Sequence, residues 1–113
     1  MIELPFPPSS LSGHNKGHWR NSSAIVAKHR AWAKAATQAA RPEIPATGDI
    51  RVVTTFYPGD RRGDRINFPN RMKPYFDGIA EALGVNDSRF VPAYHFAEPV
   101  KNGRVVIVIG EGI

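Results

Sequence analysis

Residues 69–84 carry one amphipathic helix with its own start and stop, and that helix limits what the remainder can be. Pro69, Asn70 and Pro74 mark the start, with Asn70 as the expected N-cap, since an Asn side chain accepts from the free N–H groups of a first turn. Met72, Phe76, Ile79, Ala80 and Leu83 recur at helical spacing, and Gly84 is placed to end the run as a left-handed C′ residue. So short a helix is stable only when its apolar stripe packs on other elements. The flanking sequence supplies strands. Residues 49–57 (DIRVVTTFY) and 91–98 are rich in β-branched and aromatic residues. Asn102 and Gly103 make a two-residue turn signal, and residues 104–109 read as a strand returning beside 91–98 in a closing hairpin.

The first third of the chain repeats the pattern more loosely. Residues 2–6 read as a short strand stopped by Pro7 and Pro8. Residues 9–21 read as a polar loop holding His14, Lys16, His18, Trp19 and Arg20, with Gly17 set against a helix that would align the two histidines. Mixed basic and aromatic side chains in such a loop suit phosphate contact and base stacking. Ser22 or Ser23 is the expected cap of a helix running to about Ala40. Ile25, His29, Trp32, Ala36 and Ala40 form its inward stripe, with His29 as a packing residue. Arg30, Lys34, Thr37 and Arg41 form a second stripe, either a DNA-facing ridge or a solvated face. After a connector at 41–48 the order becomes β-α-β-α-β-β. The expected fold is α+β: a single domain over residues 1–113, a two-layer α/β sandwich in which a mixed four-stranded sheet carries two helices on one face.

Charge narrows the partners. Residues 1–42 hold six Lys/Arg against one acid, Glu3, while the remainder holds nine of each sign, so the net +5 sits at one end. Concentrated positive charge favours a polyanion partner whose affinity falls with salt. The absence of cysteine excludes disulfides and thiolate metal sites. No apolar run is long enough to span a membrane and no signal-peptide pattern is present, so a cytoplasmic setting without membrane attachment is expected.

Chemistry-bearing residues cluster between the central strand and the second helix. Arg61, Arg62 and Arg65 surround Asp64 in sequence, and positive neighbours keep a carboxylate ionised. Lys73 starts the helix, where its ammonium could reach back toward Asp64, and Asp87 follows the helix end. Two carboxylates meet the minimum for Mg2+, which takes one or two carboxylates with waters and phosphate oxygens. Asn67 could orient Asp64 or offer a carbonyl ligand. The alternative is structural: Asp64 paired with its arginines, Lys73 with Asp77 at i,i+4, and Asp87 stabilising a turn.

The segments RRGDRINF, KPYFDGIAEALG and ND together resemble RusA-type Holliday junction resolvases. The opening LPFPPSSLSGHNKGHWR and the closing HFAEPVKNGRVVIVI resemble phage-borne members, so the likeness spans nearly the whole chain. It implies a homodimer that resolves four-way junction DNA by paired, metal-dependent nicks. Asp64 and Asp87 match metal-binding carboxylates for Mg2+, with Mn2+ as a substitute, and Lys73 matches the catalytic lysine. Lys16, His18, Arg20, Arg61, Arg62, Arg65 and Arg71 are the expected nucleic-acid contacts. Two positions depart from the pattern: Ile66 stands where a second aspartate is usual, and Asn86 where the first of two turn aspartates is usual. Two other readings stay open: a branched-DNA-binding protein that cuts poorly, and a small ribonuclease or other nucleic-acid hydrolase.

Overall fold

The computed structural model describes residues 1–11 and 19–110. Four strands, β1 (Ile2–Leu4), β2 (Ile50–Tyr57), β3 (Phe90–Phe96) and β4 (Arg104–Ile109), and two helices, α1 (Trp19–Ala40) and α2 (Lys73–Leu83), follow the order β-α-β-α-β-β. The sheet is mixed, with strand order β1-β4-β2-β3. β2 pairs in parallel with β3, while β4 runs antiparallel to both β2 and β1.

Alternation along the strands makes the layers. Ile50, Val52, Thr54 and Phe56 of β2, Val105, Ile107 and Ile109 of β4, and Ile2 and Leu4 of β1 are buried. They meet Ala33 of α1, Met72, Tyr75 and Ile79 around α2, and Phe68 in one apolar cluster. Both helices cover this face, giving the α+β two-layer sandwich. Thr54 departs from the apolar pattern. It is fully buried, and its hydroxyl has no hydrogen-bond partner among the described residues. An unsatisfied buried hydroxyl costs about 1–3 kcal/mol, so Thr54→Val is expected to stabilise the fold by about 1 kcal/mol in urea denaturation.

The closing hairpin does not form. β3 and β4 lie on opposite sides of β2. The Asn102–Gly103 turn is present, both residues at positive φ, but it ends a crossover. Along that crossover Ala97 N–H donates to the Phe56 carbonyl and Val100 N–H to that of Pro58, carrying the chain past the end of β2. A turn signal fixes a local reversal, whereas strand neighbours are chosen by burial. β2, apolar on one face and half-buried on the other, takes the centre. The edges are blunted by the shortness of β1, which stops before Pro5, and by Pro92 in β3.

α1 begins at Trp19, ahead of the expected Ser22 or Ser23 cap, since nothing in its first turn breaks a helix. Its buried row is His29, Ala33 and Thr37, while Trp32 is 38% exposed and Ala40 lies outside. The contact therefore follows an i,i+4 ridge, inclined to the helix axis, rather than the expected stripe, as when two helices cross at an angle. Thr37, expected on the basic face, is buried and donates to the Ala33 carbonyl at 2.7 Å. His29 packs between Trp32 and Tyr75, with Nδ1 2.7 Å from the Ile25 carbonyl oxygen, a structural role.

α2 starts later than Asn70. Residues Pro69–Arg71 form a 3-10 turn, Met72 occupies the cap position without a side-chain bond, and Pro74 sits in the first turn, where its missing N–H costs nothing. Gly84 does end the helix at φ +67°, with Val85 N–H reaching the Ala80 carbonyl. Tyr75, absent from the expected stripe, is fully buried and donates to the Pro5 carbonyl at 2.7 Å. That bond ties α2 to the exit of β1, and burial pushes the phenol well above its ordinary pKa.

Candidate functional site

β1, β2 and β3 run in the same direction, so their carboxyl ends share one rim of the sheet. Segments leaving that rim build the site, the position where open α/β sheets commonly bind ligands. A cavity of about 530 Å³ lies there, lined by Pro58, Asp60, Arg61, Arg62, Gly63, Asp64, Arg65, Phe68 and Pro99. A second, of about 370 Å³, shares Pro58, Asp60, Arg62, Gly63 and Phe68 and adds Phe6, Ser9, Gly59 and Arg71. The two form one groove.

Within it the expected arginine cage around Asp64 is rearranged. Arg62 grips Asp60: Nε and Nη2 donate to Oδ2 at 3.1 and 2.8 Å, and its backbone N–H donates to Oδ1. This closure spans two residues and orders little chain, so it forms in preference. Arg61 reaches Glu98 at 2.7 Å. Asp64 instead caps the 3-10 turn Arg65–Asn67, accepting from Ile66 N–H at 3.1 Å and from the Asn67 amide at 3.4 Å. Asn67 thus orients Asp64. Arg65 is exposed and makes no ion pair among the described residues. Ile66 is 82% exposed beside Asp64.

Lys73 does not reach back to Asp64. Its ammonium lies 2.5 Å from Asp87 Oδ2 and 2.9 Å from Asp77 Oδ1. The intervening 3-10 turn places Lys73 at the first helical position, and its side chain then runs along α2. Asn86 caps the turn that presents Asp87, accepting from Ser88 N–H at 2.9 Å. The Lys73 ammonium holds the Asp87 carboxyl below its ordinary pKa, and Asp87, then Asp77, raise that of Lys73. Asp87 lines neither cavity. Among the described residues no three histidine or acidic side chains converge on one possible metal position.

Other expected contacts divide. Lys16 and His18, with His14, lie outside the described residues, and Arg20 stands in the first turn of α1 with its side chain not described. The basic face of α1 is engaged: Arg30 and Lys34 both bind Glu81 of α2, at 3.0 and 2.9 Å. Lys34, then Arg30, depress the Glu81 pKa below 4.5, as Arg62 depresses Asp60 and Lys73 depresses Asp87 below 3.8. A group depressed in the fold contributes stability above its unfolded pKa and loses it as pH falls through the folded value. These three contributions are therefore present at neutral pH and begin to be lost as pH falls past the unfolded values, 4.5 for Glu81 and 3.8 for Asp60 and Asp87. Glu81→Gln should flatten that acid limb in pH-dependent urea melts, and an unchanged slope would show that the pairing contributes nothing.

The chain is 36% identical over 113 residues to an uncharacterized protein of Xylella fastidiosa, covering 96% of this chain and 74% of that one. It belongs to that protein's family. No family model matches the chain. Membership at this identity carries the common ancestry but no activity, so the chemistry is read from the groove. Sequence reasoning left out Asp77 as a functional group, having placed it only as a surface partner of Lys73. Its signal was the spacing to Lys73 combined with an acid after the helix, which sets two carboxylates on one ammonium.

Proposed function

We propose that the chain is a metal-dependent endodeoxyribonuclease that nicks four-way junction DNA in pairs, acting as a homodimer. The observation that carries this reading is Asp64, an exposed carboxylate in a groove walled by Arg61, Arg62 and Arg65. Guanidinium groups at that density suit phosphodiesters, which they grip by paired hydrogen bonds. A carboxylate there disfavours anion binding, and beyond capping its turn it offers an oxygen ligand to a metal.

Hard carboxylate oxygens are the donors that Mg2+ or Mn2+ would take here. Asp77 and Asp87 already reach one cation position, filled by the Lys73 ammonium, and two hard carboxylate oxygens match what Mg2+ takes from a protein. Asp64 and Asp87 would hold the ion, which requires them to approach, since Asp87 lies with Asp77 on Lys73 and outside the groove that holds Asp64. When bound, the metal neutralises the phosphodiester and activates water. The remaining work falls to the chain's own residues. Arg61 and Arg65 hold the backbone, Asn67 keeps Asp64 aimed, and Lys73, released from Asp87, stabilises charge on the leaving oxygen. A four-way junction has approximate two-fold symmetry, so two sites in a symmetric dimer would deliver the matched nicks.

The exposed Ile66 favours a second reading, binding of branched DNA without cutting. One experiment separates them. A labelled four-way junction is incubated with Mg2+, Mn2+ or EDTA, with duplex DNA and RNA as competitors. Metal-dependent paired nicks resistant to both competitors are expected. Tight binding without nicks under either metal would leave the binding reading, and preference for RNA would replace both.

A further inference from the structure

We propose that Arg71 anchors a preformed seat for a single backbone phosphate, in the part of the groove between the exit of β1 and the arginine loop. The proposal rests on the nucleic-acid reading above and deepens it by naming where one phosphate sits and what holds it.

Arg71 is a cation without an anion among the described residues. Among the described residues, Arg30, Lys34, Arg61, Arg62, Lys73 and Arg104 each pair with a carboxylate. Arg71 pairs with none of the acids there, although it is more buried than most of them. Its guanidinium lies 5.1 Å from the Phe68 ring centroid and 5.9 Å from that of Phe6. Nη1 donates to the Pro7 carbonyl at 3.2 Å. Nε is shut off from water with no partner, and Nη2 makes no hydrogen bond among the described residues. Burial alone lowers the Arg71 pKa, with no compensating acid.

Desolvating a cation without a counter-charge is unfavourable, and the two ring faces and one carbonyl offset only part of that cost. The Nη2 end, which makes no hydrogen bond among the described residues, is left to donate to a phosphate oxygen, whereas Nε, closed off from water, is closed to a phosphate as well. Around it stand Ser9, whose hydroxyl can donate, and the Arg62–Asp60 ion pair, whose charges oppose each other. Asp60 also lines this space, but three hydrogen bonds to Arg62 occupy its carboxylate. The apolar ring wall strengthens any ion pair made against it. This space continues into the groove holding Asp64, so a strand whose phosphate sat on Arg71 would extend past the carboxylate.

The test titrates the folded protein with inorganic phosphate, following the Arg71 Nε–H signal by NMR, with acetate as a second anion. A saturable shift at Arg71 with phosphate, weaker with acetate, is expected. It should vanish in Arg71→Met, which keeps an apolar stem against the rings, and weaken in Arg71→Lys, which keeps charge without the Nη2 donor. In parallel, the slope of log affinity against log salt for junction and duplex DNA should fall by about one unit in Arg71→Met and stay unchanged in Arg30→Gln. No phosphate shift at Arg71 in the wild-type protein, or an unchanged salt slope in a folded Arg71→Met, overturns the seat while leaving the nucleic-acid reading standing. Phosphate bound at Arg71 with no affinity for DNA or RNA sinks the nucleic-acid reading and keeps the seat.

Discussion

Gly78→Ala is expected to destabilise the fold by about 2–3 kcal/mol, the scale of an overpacked core. Taken locally the substitution should help, because Ala is the better helix former by about 1 kcal/mol. Position 78 lies inside α2, where that gain applies in full. The packing reverses the sign. A Cβ there would stand 2.2 Å from the Arg30 carbonyl oxygen, and 3.0 Å from both the Ala33 Cβ and the Lys34 nitrogen. These are mainly backbone atoms of α1, so no side chain can swing aside. The helices would have to separate, loosening Tyr75 and Ile79 and stretching the Glu81 bridge to Arg30 and Lys34. A lowered urea midpoint with an unchanged m-value is the expected result. A midpoint at or above that of the wild-type protein would mean that α1 and α2 do not approach at Gly78.

That contact also shows where the sequence was legible and where it was not. α2 could be read because its punctuation is local: prolines before it and Gly84 after it each act within a turn. β2 could be read because a run of β-branched residues needs no partner to be recognised. Gly78 gave no local signal, since its reason lies in α1, more than forty residues earlier. The same limit explains the missed crossover. Asn102–Gly103 specifies a reversal, but only the burial of β2 decides that β3 and β4 flank it.

The groove divides along the same line. Charge and the arginine run identified the region, and Lys73–Asp77 was visible from helical spacing. The partners were less visible, because Asp60 and Asp64 flank the arginines almost equally in sequence. Backbone geometry at the turn gave Arg62 to Asp60 and the capping role to Asp64. Arg71 received no argument from sequence spacing at all. Its meaning depends on Phe6 and Pro7, which the β1–β4–β2 arrangement brings across the rim from the other end of the chain.

Asp64→Asn is expected to reduce junction cleavage by about a hundredfold or more, the scale of removing one electrostatic group that acts in the transition state. The substitution isolates chemistry from folding. Asp64 caps the 3-10 turn through Oδ1, and Asn caps about as well, keeping a carbonyl oxygen for Ile66 N–H. The groove should therefore keep its shape. Junction binding should hold or tighten, since the substitution removes a negative charge from an arginine-lined wall. Single-turnover cleavage and equilibrium binding, measured on the same preparation, separate the two effects. Asp87→Asn should match the cleavage loss, although Lys73 keeps Asp77 as a partner. Cleavage within twofold of wild type in Asp64→Asn would remove Asp64 from the chemistry and leave it a turn cap. Ile66→Asp then decides what limits the wild-type rate. A faster variant means that the chain lacks one metal-binding acid, whereas an unchanged rate means that another group already fills that role.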